Sequence, residues 1–313
     1  MAAGCIFYLA IAVGAVPLKL SDLWVSGTAS HMVLWQIRIP RVLLAFGAGA
    51  GLSLAGLVFQ TLFANTLATP YTLGVSSGAS FGAVLMLFLM GSFNQTGWGV
   101  PIGAWLGALL STAIVGFAAM RGLARQKHAM LLAGVAVTFF FSSLILLLQA
   151  LSSQVQVFQI MRWLMGGVSV VGYRPVLVML AVVFGCAIFL WSQGRRLNVL
   201  LLGDDLAQSK GLPVQALRIR LFISVSLLIG AIVALVGPIG FIGLVIPHAA
   251  RLIWGQDHVK LIPICLWVGG LVLVFCDWIG RTAFAPQELP VGVITALLGS
   301  PIFFALLLRR SAH

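Results

Sequence analysis

The sequence predicts an all-α polytopic membrane protein with about ten transmembrane helices, one of them short and broken near 240–253, and a polar helix pair outside the membrane. Three observations predict it. Hydrophobic residues make up 61% of the chain and charged residues only 8%, against about 25% charged in soluble domains. Mean hydropathy is +1.13. Apolar runs of roughly the 20 residues that a spanning helix requires recur along the whole chain, and lipid forces such runs to satisfy their backbone polar groups internally, as helices.

In order, the runs are 2–17, 39–62, 72–90, 99–120, 128–149, 174–192, 219–236, 240–253, 261–280 and 291–308. The first begins at the very start of the chain with no basic residue ahead of it, so it is not expected to be a cleaved signal peptide, and its abruptness suggests a short or mis-called N-terminus. The second and fourth are rich in small residues, with Gly103 and Gly107 forming a GxxxG that lets helix backbones approach closely. Gln149, Ser152, Ser153, Gln154, Gln156 and Gln159 follow the fifth run, as a plain loop or as the lining of an outer vestibule. Gly237-Pro238 separates the seventh run from the short eighth, which carries Gly240, Gly243 and Pro247. Interrupted segments of this kind are tolerated at membrane depth only beside protein or a water-filled cavity, so 237–251 is expected to face a pathway or a partner. Trp24, Trp35, Trp98, Trp163 and Trp191 lie near run ends, as interfacial anchors do. No tandem repeat, low-complexity segment or soluble domain interrupts 1–313, which is expected to form one transmembrane domain. Cys5, Cys186, Cys265 and Cys276 all sit in apolar runs without metal or redox spacing, and are expected to pack as small hydrophobes.

Ten spans put both termini on one side. That side then holds Arg121, Arg125, Lys127, Arg195, Arg196, Lys210, Arg218, Arg220, Arg251, Lys260, Arg309 and Arg310; the other holds Lys19, Arg38, Arg41, Arg162, Arg174 and Arg281. The positive-inside rule makes the richer side cytoplasmic. A net charge of +12 is thereby assigned to orientation and to contact with anionic lipid, not to nucleic acid. Within the cytoplasmic set, the loop 195–220 concentrates seven charged residues between two greasy segments. Gly203-Asp204-Asp205 there opens an amphipathic turn whose acids suit a helix N-terminus. Gly211-Leu212-Pro213 ends that helix and starts the next, with Pro213 suited to a first helical position. Residues alone leave this island as either a partner's docking surface or a solvated loop.

The chain lacks a phosphate-binding loop, a zinc-protease helix, a nucleophile elbow and any metal-spaced His/Cys set. His248 is expected to be a polar residue at the cytoplasmic end of a short helix, beside Arg251, not an iron ligand. Asp277 and Glu288 lie at or beyond the end of the ninth run, and the run centres hold almost no ionisable groups. A carrier driven by an ion gradient needs such groups at mid-membrane. Energy for movement is therefore expected from another subunit, through the island, and no cofactor or catalytic residue is expected.

Arg38-Ile39-Pro40-Arg41, Gln60 to Gly78 (QTLFANTLATPYTLGVSSG), Leu202 to Pro213, Gly237 to Arg251 (GPIGFIGLVIPHAAR) and Glu288 to Pro301 (ELPVGVITALLGSP) resemble, in this order and over nearly the whole chain, the FecCD family. Its members are permease subunits of type II ABC importers for iron–siderophore chelates, haem and cobalamin. The resemblance implies a bacterial inner-membrane protein with cytoplasmic termini. A second permease half, identical or paralogous, would complete the pathway. Two cytoplasmic ABC ATPase subunits would engage the island as coupling helices, through Gly203, Asp204, Asp205, Ala207, Lys210, Gly211, Leu212 and Pro213. A soluble substrate-binding protein would bring acidic residues to Arg38, Arg41 and Arg281, for which lipid snorkelling is the alternative. Asn65 and Leu67 would help close the cytoplasmic mouth. Two positions depart from the pattern. Thr66 replaces the family's proline, which would loosen that turn, and Lys210 replaces an apolar residue. An iron chelate is the expected substrate, with haem and then cobalamin as alternatives. An ion-gradient carrier and a membrane scaffold remain as different classes.

Overall fold

The computed structural model describes residues 2–13, 28–90, 98–121 and 127–310. Lys19, Trp24, Arg125 and the end of the first run (14–17) lie outside the described residues, as do the side chains of Cys5, Lys127, Arg309 and Arg310. Each apolar run contains a helix. In chain order they are α1 (Ala2–Ala12), α2 (Ala29–Leu62), α3 (Val75–Met90), α4 (Gly99–Met120), α5 (Lys127–Leu151), α6 (Gln154–Leu164), α7 (Arg174–Ser192), α8 (Gly194–Leu200), α9 (Asp204–Ser209), α10 (Val214–Val236), α11 (Ile242–Trp254), α12 (His258–Thr282) and α13 (Val291–Arg310). Among the described residues, six helices (α2, α4, α5, α7, α10 and α12) are long and apolar enough to cross a membrane, and α3, α11 and α13 are shorter apolar helices.

α2 is the axis. The most apolar window of α2 is 89% buried, whereas that of α5 is 17% buried and that of α7 28%. α10, α11 and α12 pack directly on α2, with α7 on another side, while α3 and α4 form a second layer against α10 and α5 packs on α3 and α4. Glycines set the spacing of these contacts. Gly78 and Gly82 of α3 face Gly107 and Gly103 of α4 so closely that a methyl group on Gly82 or Gly107 would run into the opposing carbonyl. The GxxxG seen in the sequence thus meets a second one across the interface. Gly56 of α2 meets Gly243 of α11 in the same way. The outer faces of α5 and α7 carry exposed Phe139, Phe140, Leu146, Leu177 and Ile188, which suits a lipid solvent as apolar as leucine itself.

At Pro40, Pro247 and Pro263, three of the prolines within these helices, a neighbour donates to the carbonyl that the missing N–H abandons. Pro40 leaves the Gln36 carbonyl, which accepts from the Gly172 N–H at 2.9 Å. The backbone around it widens into a π-helical stretch, Val33–Arg38, with the Ile39 N–H bonded to the Leu34 carbonyl. Pro247 leaves the Gly243 carbonyl, which accepts from Gln60 Nε2 at 3.2 Å. Pro263 leaves the Val259 carbonyl, which accepts from Trp191 Nε1 at 3.2 Å. With the Pro40 break accommodated, α2 extends ten residues before the run at 39.

The polar stretch after α5 is not a plain loop. Ser153 and Gln156 form a reciprocal capping box that starts α6, the S-x-x-Q signature of a helix N-terminus. Gln156 also donates to the Phe88 carbonyl at 3.2 Å, fastening α6 to the end of α3. Cys265 and Cys276 are buried and Cys186 half-buried, all as free thiols.

Candidate functional site

Four features bear on function, and α2 connects them. At about 1.5 Å per residue, the 23 residues from Arg38 to Thr61 separate two ends of the bundle by roughly 35 Å.

The first feature lies at the N-terminal end of α2. Arg38, Arg41 and Arg281 come together there, as the sequence grouped them, but their guanidinium groups turn inward. Arg41 is 12% exposed and grips Asp277, itself 2% exposed, from Nε and Nη2 at 3.0–3.2 Å. Its Nη1 donates to Glu288 at 2.8 Å. Arg281 lies one helical turn beyond Asp277 on α12, and its Nε stands 3.0 Å from the same carboxylate. The remaining donors cap α1: Arg281 Nη2 bonds the Ala10 carbonyl at 3.0 Å, and Arg38 Nη1 bonds the Ile11 and Ala12 carbonyls at 2.9 Å. Cations at a helix C-terminus complement its dipole. Glu288, 47% exposed, is the member of the cluster most open to a partner. A cavity of about 290 Å³ between Ile37, Arg41 and the segment Ser169–Val171 opens beside it.

The second feature is a larger, mostly apolar cavity of about 580 Å³, bordered by Tyr71, Met165, Pro238, Phe241, Val293 and Leu297. It is built where three chain breaks meet. Gly166 and Gly237 both take φ of +69°, a left-handed conformation that favours glycine, and the Gly167 N–H bonds the Val236 carbonyl at 2.8 Å. Gly292 packs so tightly on the Met165 carbonyl that a side chain there would collide with it. The interrupted segment 237–241 thus faces a cavity, the surroundings that its glycine and proline content requires.

At the opposite end of α2 lies the island. α9 starts at Asp204, as expected, after Gly203 at φ +102°. Gly211 at φ +77° ends it, while Pro213 is the N-cap of α10 and not its first helical residue. The two acids divide. Asp204 is half-buried and pairs with buried Arg218 of α10 at 3.1 Å from both carboxylate oxygens, and Ala207 is buried beneath the helix. Asp205, Lys210, Gly211 and Pro213 are exposed, Leu212 half-buried. Leu201, Leu202 and Leu206 are also exposed, Leu206 by 57%. One face of the island anchors it to the bundle; the other offers leucines among charges.

The fourth feature, the turn after α2, lies near the island. Ala64 takes φ +47°, and Asn65 Oδ1 accepts from the Leu67 N–H at 2.9 Å. This Asx turn orders the segment although Thr66 stands where proline was expected. Leu67 is 49% exposed. His248 is buried with its ring edge toward Phe303.

Sequence reasoning missed a buried polar network beneath this end. Arg251 of α11 donates to Gln60 Oε1 and to the Leu57 carbonyl. Thr61 Oγ1 stands 2.7 Å from His258 Nε2, and His258 Nδ1 lies 2.8 Å from Asn198 Oδ1 on α8. Asn198 Nδ2 in turn donates to Asp257 at 2.7 Å. The Asp257 carboxyl, the N-cap of α12 outside the span, is held below its ordinary value by that amide bond and by the Val259 N–H. The available signal was the Asp257-His258 start of α12, a capping acid followed by a histidine at a buried helix end.

A multi-helix bundle around one buried axis, with a cavity lined by chain breaks and a polar helix pair clear of the apolar spans, is the architecture of a polytopic membrane protein. The chain belongs to the FecCD transport family, whose sequence pattern matches residues 2–309. It is 42% identical over 287 residues to the uncharacterized ABC transporter permease protein YvrB of Bacillus subtilis (strain 168), covering 89% of this chain and 79% of that one. It is 40% identical over 288 residues to the vitamin B12 import system permease protein BtuC of Salmonella typhi, covering 92% of this chain and 87% of that one. A solved inward-facing transporter assigned to the metal-chelate type has the same fold, with a TM-score of 0.88 and 30% identity over 98% of this chain and 96% of that one.

Proposed function

We propose that the chain is the permease half of an importer that carries an intact metal chelate inward across a bacterial inner membrane, with both termini in the cytoplasm. The supporting observation is the division of labour in the island. Asp204–Arg218 and Ala207 bind it to the bundle, while Leu202, Leu206, Asp205 and Lys210 are presented outward. Leucines left in water among charges are what an interface core with a polar rim requires. The occupants of that face are two ABC ATPase subunits, one per permease half, with Gly203 to Pro213 as the coupling segment. Nucleotide-driven displacement of the island switches the pathway between two rigid packings, and Asn65 with Leu67 closes the cytoplasmic mouth.

At the other end the substrate-binding protein docks around Arg41, Glu288 and Ser169–Val171. Arg38 and Arg281 brace this surface from within, through Asp277 and the end of α1. A second permease half supplies the opposite wall of the pathway, whose border in this chain is the apolar cavity of about 580 Å³. An iron chelate is the family's commonest cargo, but relatives at 40% identity are named for vitamin B12, and this favours a corrinoid here. Uptake of labelled cyanocobalamin and of a ferric hydroxamate by cells that carry the whole importer decides it. Saturable uptake of the ferric chelate alone overturns the corrinoid assignment.

A further inference from the structure

The buried network at the C-terminal end of α2 joins the island to the gate turn, and its atoms determine how. Asp257 can only accept, so Asn198 must present Nδ2 to it and Oδ1 to His258. That oxygen accepts from the His258 backbone N–H at 2.8 Å and from Nδ1 at 2.8 Å. Nδ1 therefore carries a proton, and in the neutral ring Nε2 is the acceptor. Thr61 then donates its hydroxyl to Nε2 at 2.7 Å and not to the Leu57 carbonyl 2.9 Å away, which Arg251 Nη2 reaches at 3.2 Å. Thr61 and His258 are both buried, and each polar atom in this set has a partner of the right kind.

The connectivity is as specific as the chemistry. Asn198 lies on α8, whose last residue, Leu200, is four residues before Asp204 of α9. His258 opens α12. Thr61 is in the final turn of α2, four residues before Asn65. Gln60 beside it holds the Gly243 and Leu244 carbonyls, which border the larger cavity, and receives Arg251. The short Thr61–His258 bond fixes direction and register between α2 and α12, because both residues are buried and breaking the bond strands its partner away from water.

We propose that Thr61, His258 and Asn198 are positioning residues that convert movement of the island into movement of the gate turn. This rests on the importer reading above. The test uses the complete complex of permease, ATPase and binding protein in proteoliposomes, measuring ATP hydrolysed per chelate imported, with whichever of cyanocobalamin or the ferric hydroxamate the wild type accepts. Thr61→Val keeps the shape and removes the hydroxyl; Thr61→Ser keeps the hydroxyl. The expected result is a ratio raised about tenfold by Thr61→Val, the scale of one buried hydrogen bond, and restored by Thr61→Ser. A ratio unchanged in Thr61→Val, or raised equally in Thr61→Ser, overturns the proposal while wild-type transport keeps the importer reading intact. If Thr61→Val does not assemble, Asn198→Leu serves: a raised ratio supports the link and an unchanged one overturns it. A wild-type complex without ATP-driven uptake removes the importer reading, and this proposal with it.

Discussion

Replacing Asp277 by Asn tests the internal role assigned to the arginine cluster. The carboxylate is 2% exposed and lies 3.0 Å from both Arg41 Nη2 and Arg281 Nε. Asparagine preserves volume and one acceptor but removes the only buried anion between two guanidinium groups. Removing one partner of a buried ion pair costs about 3–5 kcal/mol, because the remaining charge stays desolvated. Here two cations are left facing each other, so the upper part of that range applies. For a chain of this size each kcal/mol moves the melting midpoint by about 2 °C, which gives a fall of about 10 °C. Heating the detergent-purified protein in steps and following the monodisperse peak by size-exclusion chromatography measures it. Glu288→Gln is the control: its carboxylate is half-exposed, and exposed pairs contribute about 0–1 kcal/mol. A fall under about 2 °C for Asp277→Asn, or equal falls for the two variants, refutes the internal brace.

Further predictions follow from the other sites. Leu202→Glu with Leu206→Glu abolishes co-purification of the ATPase while the permease stays monodisperse; Asp204→Lys instead lowers the yield of folded permease, because it sets lysine against buried Arg218. Gly82→Leu forces α3 and α4 apart at the Gly103 carbonyl and costs about 3 kcal/mol or more, read as loss of the monodisperse peak. Asp257 has a folded pKa below its ordinary 3.8, so its stabilising contribution is complete above that value and is lost as pH falls through the folded one. The melting midpoint of Asp257→Asn is therefore below wild type at pH 6, and the two converge as pH falls through that folded value.

The spans were legible because lipid makes composition itself the signal: every apolar run contains a helix. Helix ends were less so. α2 starts ten residues before its run because the Gly172 N–H serves the carbonyl that Pro40 abandons, a contact no local pattern announces. α6 was legible in principle, since Ser153-x-x-Gln156 is a capping signature, but its many glutamines gave the stretch the look of a loop. Within the sites, the turns of the island followed from Gly203 and Gly211. The burial of Arg38 and Arg281 did not, although Asp277 lies four residues before Arg281 on one helix. The Thr61–His258 contact joins residues 197 apart, and only the packing of α2 against α12 brings them together.

The central claim is that ATP hydrolysed on a partner chain, acting through the island, moves a chelate through this permease. It is tested most directly by uptake of labelled chelate into proteoliposomes holding the permease, its ATPase and the binding protein. Uptake that requires ATP, persists when ionophores collapse every ion gradient, and disappears in Leu202→Glu with Leu206→Glu is the predicted result. Uptake that ignores ATP and stops with the ionophores would contradict it and make the protein an ion-driven carrier.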